Sequence, residues 1–289
     1  MKTFQLLKQK HPCFSDSLGV YGRIHLPVCP VCNLCCRYCE RSFSETLERP
    51  GRSRGILPLE RVSDTLKKAL ELCPEITTVG IAGPGDTLAS DHALEAFRMI
   101  DKDFPDFIKC MSTNGLLLNE KAGEIAKAHV DSITVTVNAV APEIEEQINN
   151  KIWYQGEWIH GKEAAKILIE NQLEGIRKAV EQGITVKINT VLIPGINDTH
   201  IETVAKKTAE AGAQIYNIIP LIPQAEMKEV LRPDCSMIDS ARLAAEKHLD
   251  VFKHCQHCRA DAVGRLGKED FGKQIYGNLE LEQENFSHG

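Results

Sequence analysis

The chain has 289 residues, 43% of them hydrophobic and 26% charged, with a formal net charge of -6. That size and balance fit one large domain or two small ones with a full core, and they remove any electrostatic case for a nucleic-acid partner. No apolar run reaches the length of a membrane span, and the first eleven residues, with Lys2, Lys8 and Lys10, do not form a secretory signal.

Strand-like and helix-like stretches alternate along the chain. Residues 24–28 read as a short apolar strand, and 59–72 have helical periodicity after Pro58. A β-rich stretch, 77–82, ends in Gly83-Pro84-Gly85-Asp86, and 92–100 is helical. Strand 107–111 runs into Ser112-Thr113-Asn114-Gly115, helix 120–128 follows, and strand 132–137 ends at Asn138. Helix 161–182 closes at Gly183, strand 185–193 precedes Pro194-Gly195, and helix 199–211 closes at Gly212. Strand 215–219 and a helix over 239–252 complete roughly six β–α units, the pattern of parallel strands wrapped by helices. Every polar or glycine-rich motif falls at or just beyond a strand end, the edge that carries active sites in barrel-like α/β folds. The basic run Arg49–Arg54 reads as an exposed loop, and 276–289 as a loose polar tail.

The eleven cysteines are odd in number and clustered, five of them between Cys29 and Cys39. A secreted disulfide scaffold is shorter and spreads its cysteines, so a reducing cytoplasm with metal sites fits better. Cys32, Cys36 and Cys39 supply three thiolates, which leaves one iron of a four-iron cubane open for chemistry. Cys29-x2-Cys32-x2-Cys35-x3-Cys39 also matches the ferredoxin run, although Glu40 stands where that run has proline. A structural zinc site is the other alternative.

The spacing Cys32-x3-Cys36-x-Tyr38-Cys39 resembles the hallmark of the radical S-adenosylmethionine (SAM) superfamily. That resemblance implies an α/β partial (β/α)6 barrel and a [4Fe–4S] cluster whose open iron is chelated by SAM. Cys29 and Cys35 are then spare to this cluster, as buried thiols or ligands elsewhere. Gly83 to Asp86 occupies the place of the superfamily's glycine-rich loop, with Asp86 facing the methionine ammonium; taken alone the segment is an ordinary turn. By the same resemblance Asn138 and Asn189 serve the methionine carboxylate or ribose, Thr136 and Val191 shape the adenosine site, and Asn114 joins them on the rim.

Six further motifs narrow the resemblance. His11-Pro12-Cys13-Phe14, Gly22–Pro27, Gly80–Asp86, Ser112–Gly115, Ile193–Asp198 and His254–Gly264 are together similar to the NifB family, over nearly the whole chain. The resemblance implies two additional [4Fe–4S] clusters, methylated and fused with SAM into the carbide-containing [Fe8S9C] precursor of the nitrogenase cofactor. It implies cluster-donor proteins and a cofactor acceptor or scaffold as partners, and a stand-alone form without the carrier-like domain of longer members. The expected organisation is an N-terminal extension at 1–23, a barrel core at 24–252, a cluster-binding segment at 253–275 and the tail. Cys13, His25, Cys110, Cys255 and Cys258 are the implied auxiliary ligands. A further family cysteine, six residues past Cys39, is replaced by Glu45, which is expected to take over as a harder ligand; the alternatives are that Cys29 or Cys35 substitutes or that one cluster is held loosely. Cys73 and Cys235 read as small buried apolar residues, and Glu40, Arg41, Arg259 and Asp261 as loop or salt-bridge residues near the site. The rival readings are another radical SAM enzyme with auxiliary clusters, acting on a peptide or organic cofactor, and an electron carrier or zinc-bound interaction protein.

Overall fold

A computed structural model describes residues 2–15, 19–40, 42–46 and 49–279. Helix α1 (Phe4–Lys10) precedes strands β1 (Gly22–His25) and β2 (Leu34–Cys36), the latter inside the cysteine loop. Then come α2 (Val62–Leu72), β3 (Ile76–Ile81), α3 (His92–Asp103), β4 (Ile108–Thr113), α4 (Leu118–Lys127) and β5 (Ser132–Thr136). Helix α5 (Pro142–Ile148) and the hairpin β6 (Asn149–Tyr154) and β7 (Glu157–His160) lead into α6 (Gly161–Glu181) and β8 (Thr185–Leu192). Helix α7 (Ile201–Glu210), β9 (Ile215–Pro220), α8 (Cys235–Glu246), β10 (Asp250–Val251), β11 (Val263–Arg265) and α9 (Gly272–Tyr276) finish the fold.

The strands form an eight-stranded sheet in the order β10-β9-β8-β5-β4-β3-β1-β11. All neighbours are parallel except β11, which runs antiparallel along β1. Six parallel strands, each followed by a helix, make the partial barrel that the β–α rhythm predicts. Strand parity sorts the side chains, because successive residues point to opposite faces. Met111, Ile133, Val135, Val186, Ile188 and Ile218 join the main apolar core against the helices. Their alternates, among them Cys110, Ser112, Thr134, Thr136, Lys187, Asn189 and Asn217, line a cavity on the inner face. Helix α6 lies close on α4 because Gly175 carries no side chain: a Cβ there would sit 2.6 Å from the Asn119 backbone nitrogen.

Several expectations are corrected. The helix expected over 239–252 starts at Cys235 and ends at Glu246, and Asp250–Val251 instead add a strand to the sheet edge. Cys235 is exposed at the start of that helix, whereas Cys73 is buried as expected. The basic run is not an exposed loop: Arg49 and Arg52 are buried and pair with Glu40 at 3.0 and 2.8 Å. The start of the expected tail is packed, with Tyr276 buried and its hydroxyl donating to the His25 carbonyl at 2.8 Å. Arg41 and residues 280–289 lie outside the described residues.

Glu145 on α5 is fully buried, and its carboxylate accepts from the Asn149 side chain. Desolvation pushes its carboxyl up from 4.5 to about 8. The protonated form therefore stabilises the fold below the ordinary carboxylate range, and that contribution is lost as pH rises through about 8. Glu145→Gln keeps the shape without the ionisation. In thermal melts, wild type is expected to lose stability between pH 6 and 9 while the variant stays flatter and ends the more stable at pH 9.

Candidate active site

The inner face of the sheet encloses a cavity of about 330 Å3, at the lower end of the ~300–1,000 Å3 typical of small-molecule pockets. Its wall has two chemically distinct regions, a polar rim beside the cysteine loop and a deeper region lined by thiols and imidazoles.

At the rim the cysteine loop is fastened to the glycine-rich loop through the backbone. Cys29 bridges to Pro84, Gly85 N–H donates to the Cys29 carbonyl at 3.0 Å, and Asp86 N–H donates to the Val31 carbonyl at 2.9 Å. A Cβ at residue 85 would lie 2.0 Å from the Val31 oxygen, so only glycine permits this seam. Asp86 lines the cavity, but its carboxylate is engaged by Asn114 N–H at 2.6 Å, Leu88 N–H at 2.9 Å and the Thr113 hydroxyl at 3.0 Å. Burial pushes that carboxyl upward against these hydrogen bonds. Asp86 here ties the ends of two strands together. The Asn114 amide donates to Asn33 in the cysteine loop at 2.7 Å, extending the same network. Asn33, buried between Cys32 and Leu34, is a site residue that spacing arguments pass over.

Cys39 and Tyr38 face the cavity, while Cys32 and Cys36 pack beside Leu34, Leu116 and Ile152 at its edge. A turn closes the loop, with Cys39 N–H donating to the Cys36 carbonyl at 3.0 Å. Tyr38 anchors the loop: Asn138 donates to its hydroxyl at 3.0 Å and Gln224 to its carbonyl at 2.7 Å. Asn138 also accepts from Val191 N–H at 2.9 Å and does not itself line the cavity; nor does Gly83. Thr136, Asn189 and Val191 do, and Asn217 donates to Asn189 at 3.0 Å across the paired strands. Cys29 is buried in the core, where desolvation raises its thiol well above the usual range. Cys35 is half-buried and does not line the cavity.

The deeper region gathers Cys13, His25, Cys110, Cys255 and Cys258 on one cavity wall, from segments spread over the whole sequence. His25, Gly80 and Cys110 lie at one level on adjacent strands. A Cβ on residue 80 would meet the His25 ring at 2.9 Å and the Cys110 sulfur at 3.1 Å, so glycine lets the two donors close over the strand. His25 Nδ1 is 2.8 Å from the Arg259 carbonyl, which can only accept. Nδ1 thus carries the proton and Nε2 keeps a lone pair for metal. Burial, then Arg23, lowers this imidazole to about 4, so it is neutral near pH 7. Burial pushes the Cys13 thiol up to about 11 and also raises Cys110.

Glu45 is not brought into the cavity. Its loop is held by Ser44, whose N–H donates to the Ser53 carbonyl at 3.0 Å and whose carbonyl accepts from Arg259 at 2.7 Å, and Glu45 itself is exposed. Arg259 and Asp261 form a buried ion pair at 2.7 Å, joined by Arg54 at 2.9 Å, which makes them structural. Sequence reasoning also missed Lys187 and Gln224 on the cavity wall. The period of β8 was the available signal for Lys187, since it places residues 187, 189 and 191 on one face.

Among the described residues, no three His, Cys, Asp or Glu side chains converge on a point as for a single metal ion. Residues 26–208 match the radical SAM superfamily. The chain is 46% identical to the FeMo cofactor biosynthesis protein NifB of Methanocaldococcus infernus, over all of this chain and 98% of that protein.

The chain belongs to the NifB family of radical SAM enzymes.

A second NifB, from Methanocaldococcus jannaschii, is 43% identical over the same extents. The fold likeness reaches other radical SAM proteins: SuiB of Streptococcus suis, solved with S-adenosylmethionine, superposes with a TM-score of 0.56 at 12% identity, over 96% of this chain and 56% of that one. Membership implies a [4Fe–4S] cluster with SAM. No helix among the described residues is long and apolar enough to cross a membrane.

Proposed function

We propose that this enzyme builds the carbide-centred [Fe8S9C] precursor of the nitrogenase cofactor, taking two [4Fe–4S] clusters as substrates. The observation that supports this reading is the second set of soft donors. Cys13, His25, Cys110, Cys255 and Cys258 line the same cavity as the rim residues, the set an iron–sulfur substrate needs, whereas an enzyme with auxiliary clusters that acts on a peptide or organic cofactor needs an open substrate pocket in that place.

Each part of the chain then has a task. Cys32, Cys36 and Cys39 would hold the resident cluster, and Thr136, Asn189 and Val191 would bound the nucleoside. The group supplied there is SAM, a source of both a methyl group and, on reductive cleavage, a 5′-deoxyadenosyl radical. Tyr38 and Asn138 keep the cysteine loop over the cavity mouth, and Gly85 and Asp86 close its side against water. His25, neutral and with Nε2 exposed to the cavity, offers a weaker bond than thiolate, which suits a cluster that must later leave. Cluster-donor proteins would fill this region and an acceptor or scaffold protein would empty it, in a reducing cytoplasm.

Anaerobic incubation of the iron-loaded chain with methyl-labelled SAM and dithionite tests the reading. Label retained in a protein-bound iron–sulfur product, with about twelve irons per chain before reaction, is expected. About four irons would instead indicate a single-cluster enzyme or an electron carrier, and a full iron complement with label only in small molecules would indicate an enzyme with auxiliary clusters for a peptide or organic cofactor.

A further inference from the structure

Lys187 points from β8 into the deeper region of the cavity and is 5% exposed. Its ammonium lies 5.3 Å from the Phe14 and Phe252 rings, and its nearest oxygen is the Cys13 carbonyl at 3.5 Å. Among the described residues no carboxylate pairs with it. Leaving an ammonium buried and uncompensated costs several kcal/mol, so the fold holds it for something. Beside it stands a second unmet donor. His11 Nδ1 accepts from Cys13 N–H at 3.0 Å, which puts the ring proton on Nε2, and that nitrogen is buried with no partner. Arg23, another buried cation here, is placed differently: it donates to the Gly264 carbonyl at 2.6 Å and to the Cys258 sulfur at 3.4 Å, and it has a counter-charge in Asp270 at 3.8 Å.

An ammonium held by one long hydrogen bond and two ring faces but no counter-charge, beside an N–H donor with no acceptor, calls for an anion with several acceptor atoms. The surrounding donors are Cys13 and Cys110, soft thiols that select iron–sulfur rather than an oxyanion. SAM does not fit this place, since its sulfonium would be repelled. A thiolate-ligated cubane does fit, being an anion with sulfides at its corners. We propose that Lys187 is a positioning residue whose ammonium retains the anionic cluster substrate held by Cys13 and its neighbouring thiols, and raises that cluster's reduction potential, with His11 Nε2–H donating to a sulfide. This rests on the proposed function above.

The test compares the iron-loaded full chain with Lys187→Met and Lys187→Arg. The readouts are iron loss to a chelator and the potential of each cluster by spectroscopically monitored titration. The cluster whose signal shifts with SAM serves as internal control. In Lys187→Met the auxiliary iron is expected to leave about tenfold faster, and its potential to fall by about 59 mV, which is tenfold in a one-electron equilibrium. The SAM-responsive cluster should not change, and Lys187→Arg should restore both values. The iron-free Lys187→Met protein should melt at or above the wild-type temperature, because a buried lone charge has been removed. Unchanged auxiliary iron and potential in Lys187→Met would overturn the inference and leave the proposed function standing. Equal losses in Met and Arg, or a lower melting point of the iron-free Met variant, would make Lys187 a packing residue and also overturn it. A wild-type chain carrying only the SAM-responsive cluster would defeat the proposed function itself, and this inference with it.

Discussion

Cys36→Ala is expected to abolish dithionite-dependent cleavage of SAM to 5′-deoxyadenosine and to remove about four irons per chain. The loss should be complete because the site has no reserve. In the proposed arrangement three thiolates would hold the cubane, its fourth iron would stay open for SAM, and two thiolates would not hold it firmly. Cys29 sits in the core, bridged to Pro84, and cannot swing in as a replacement without breaking the seam between the loops. Cys36 packs at the edge of the cavity, so its truncation removes little buried area and the fold should survive. The informative control is the remaining iron. If the deeper donors are independent of the cysteine loop, about eight irons should persist in the variant. Retention of all iron, with SAM cleavage intact, would show that the hallmark cysteines are not the ligands.

Gly85→Ala should be nearly as damaging to turnover, although residue 85 bears no functional group. The added methyl would occupy space 2.0 Å from the Val31 oxygen and 2.5 Å from its carbonyl carbon, both backbone atoms that no rotamer change can clear. The glycine-rich loop and the cysteine loop must therefore part, losing the hydrogen bonds from Gly85 and Asp86 to Cys29 and Val31. A displacement on the order of 1 Å at a positioning element costs about 100-fold in rate. We expect SAM cleavage to fall by about that factor, with iron content near wild type and a melting temperature lowered by several degrees. A variant with wild-type cleavage would mean that the seam does not position the reacting groups.

Both outcomes concern residues that the sequence displays openly, and the contrast with those it conceals is physical. The β–α rhythm was readable because the long helices are amphipathic, two of them close at Gly183 and Gly212, and the inner strands alternate. The hairpin β6–β7 was not, since its two-residue turn is Gln155-Gly156, both at positive φ, where Asn-Gly is the usual signal. That hairpin pairs with β2 and so supports the cysteine loop from below. The cysteines of the site were legible because thiols in that density have few other uses. Lys187 and Asn33 were not, because a lone lysine or asparagine is common anywhere; only the parity of a closed-up sheet and the pairing with Asn114 give them meaning. The Glu45 reading rested on position within a motif, and the hydrogen bonds of Ser44 to Ser53 and Arg259 direct that loop elsewhere. Arg52 looked solvated in a basic run and is instead buried against Glu40, a pairing that depends on how the loop folds back.

The antiparallel strand β11 lies along β1, and Arg259 reaches both the His25 ring and the Ser44 carbonyl. The walls of the deeper region thus come from the two extremes of the polypeptide, Cys13 near one and Cys255 and Cys258 near the other. A partly synthesised chain still emerging from the ribosome owns the first thiols but not the last, so it has no closed chamber to offer. A cluster seated on all of these donors, as proposed, could be installed only after residues 255 and 258 have folded in beside Cys13, so a donor protein would have to recognise a folded barrel.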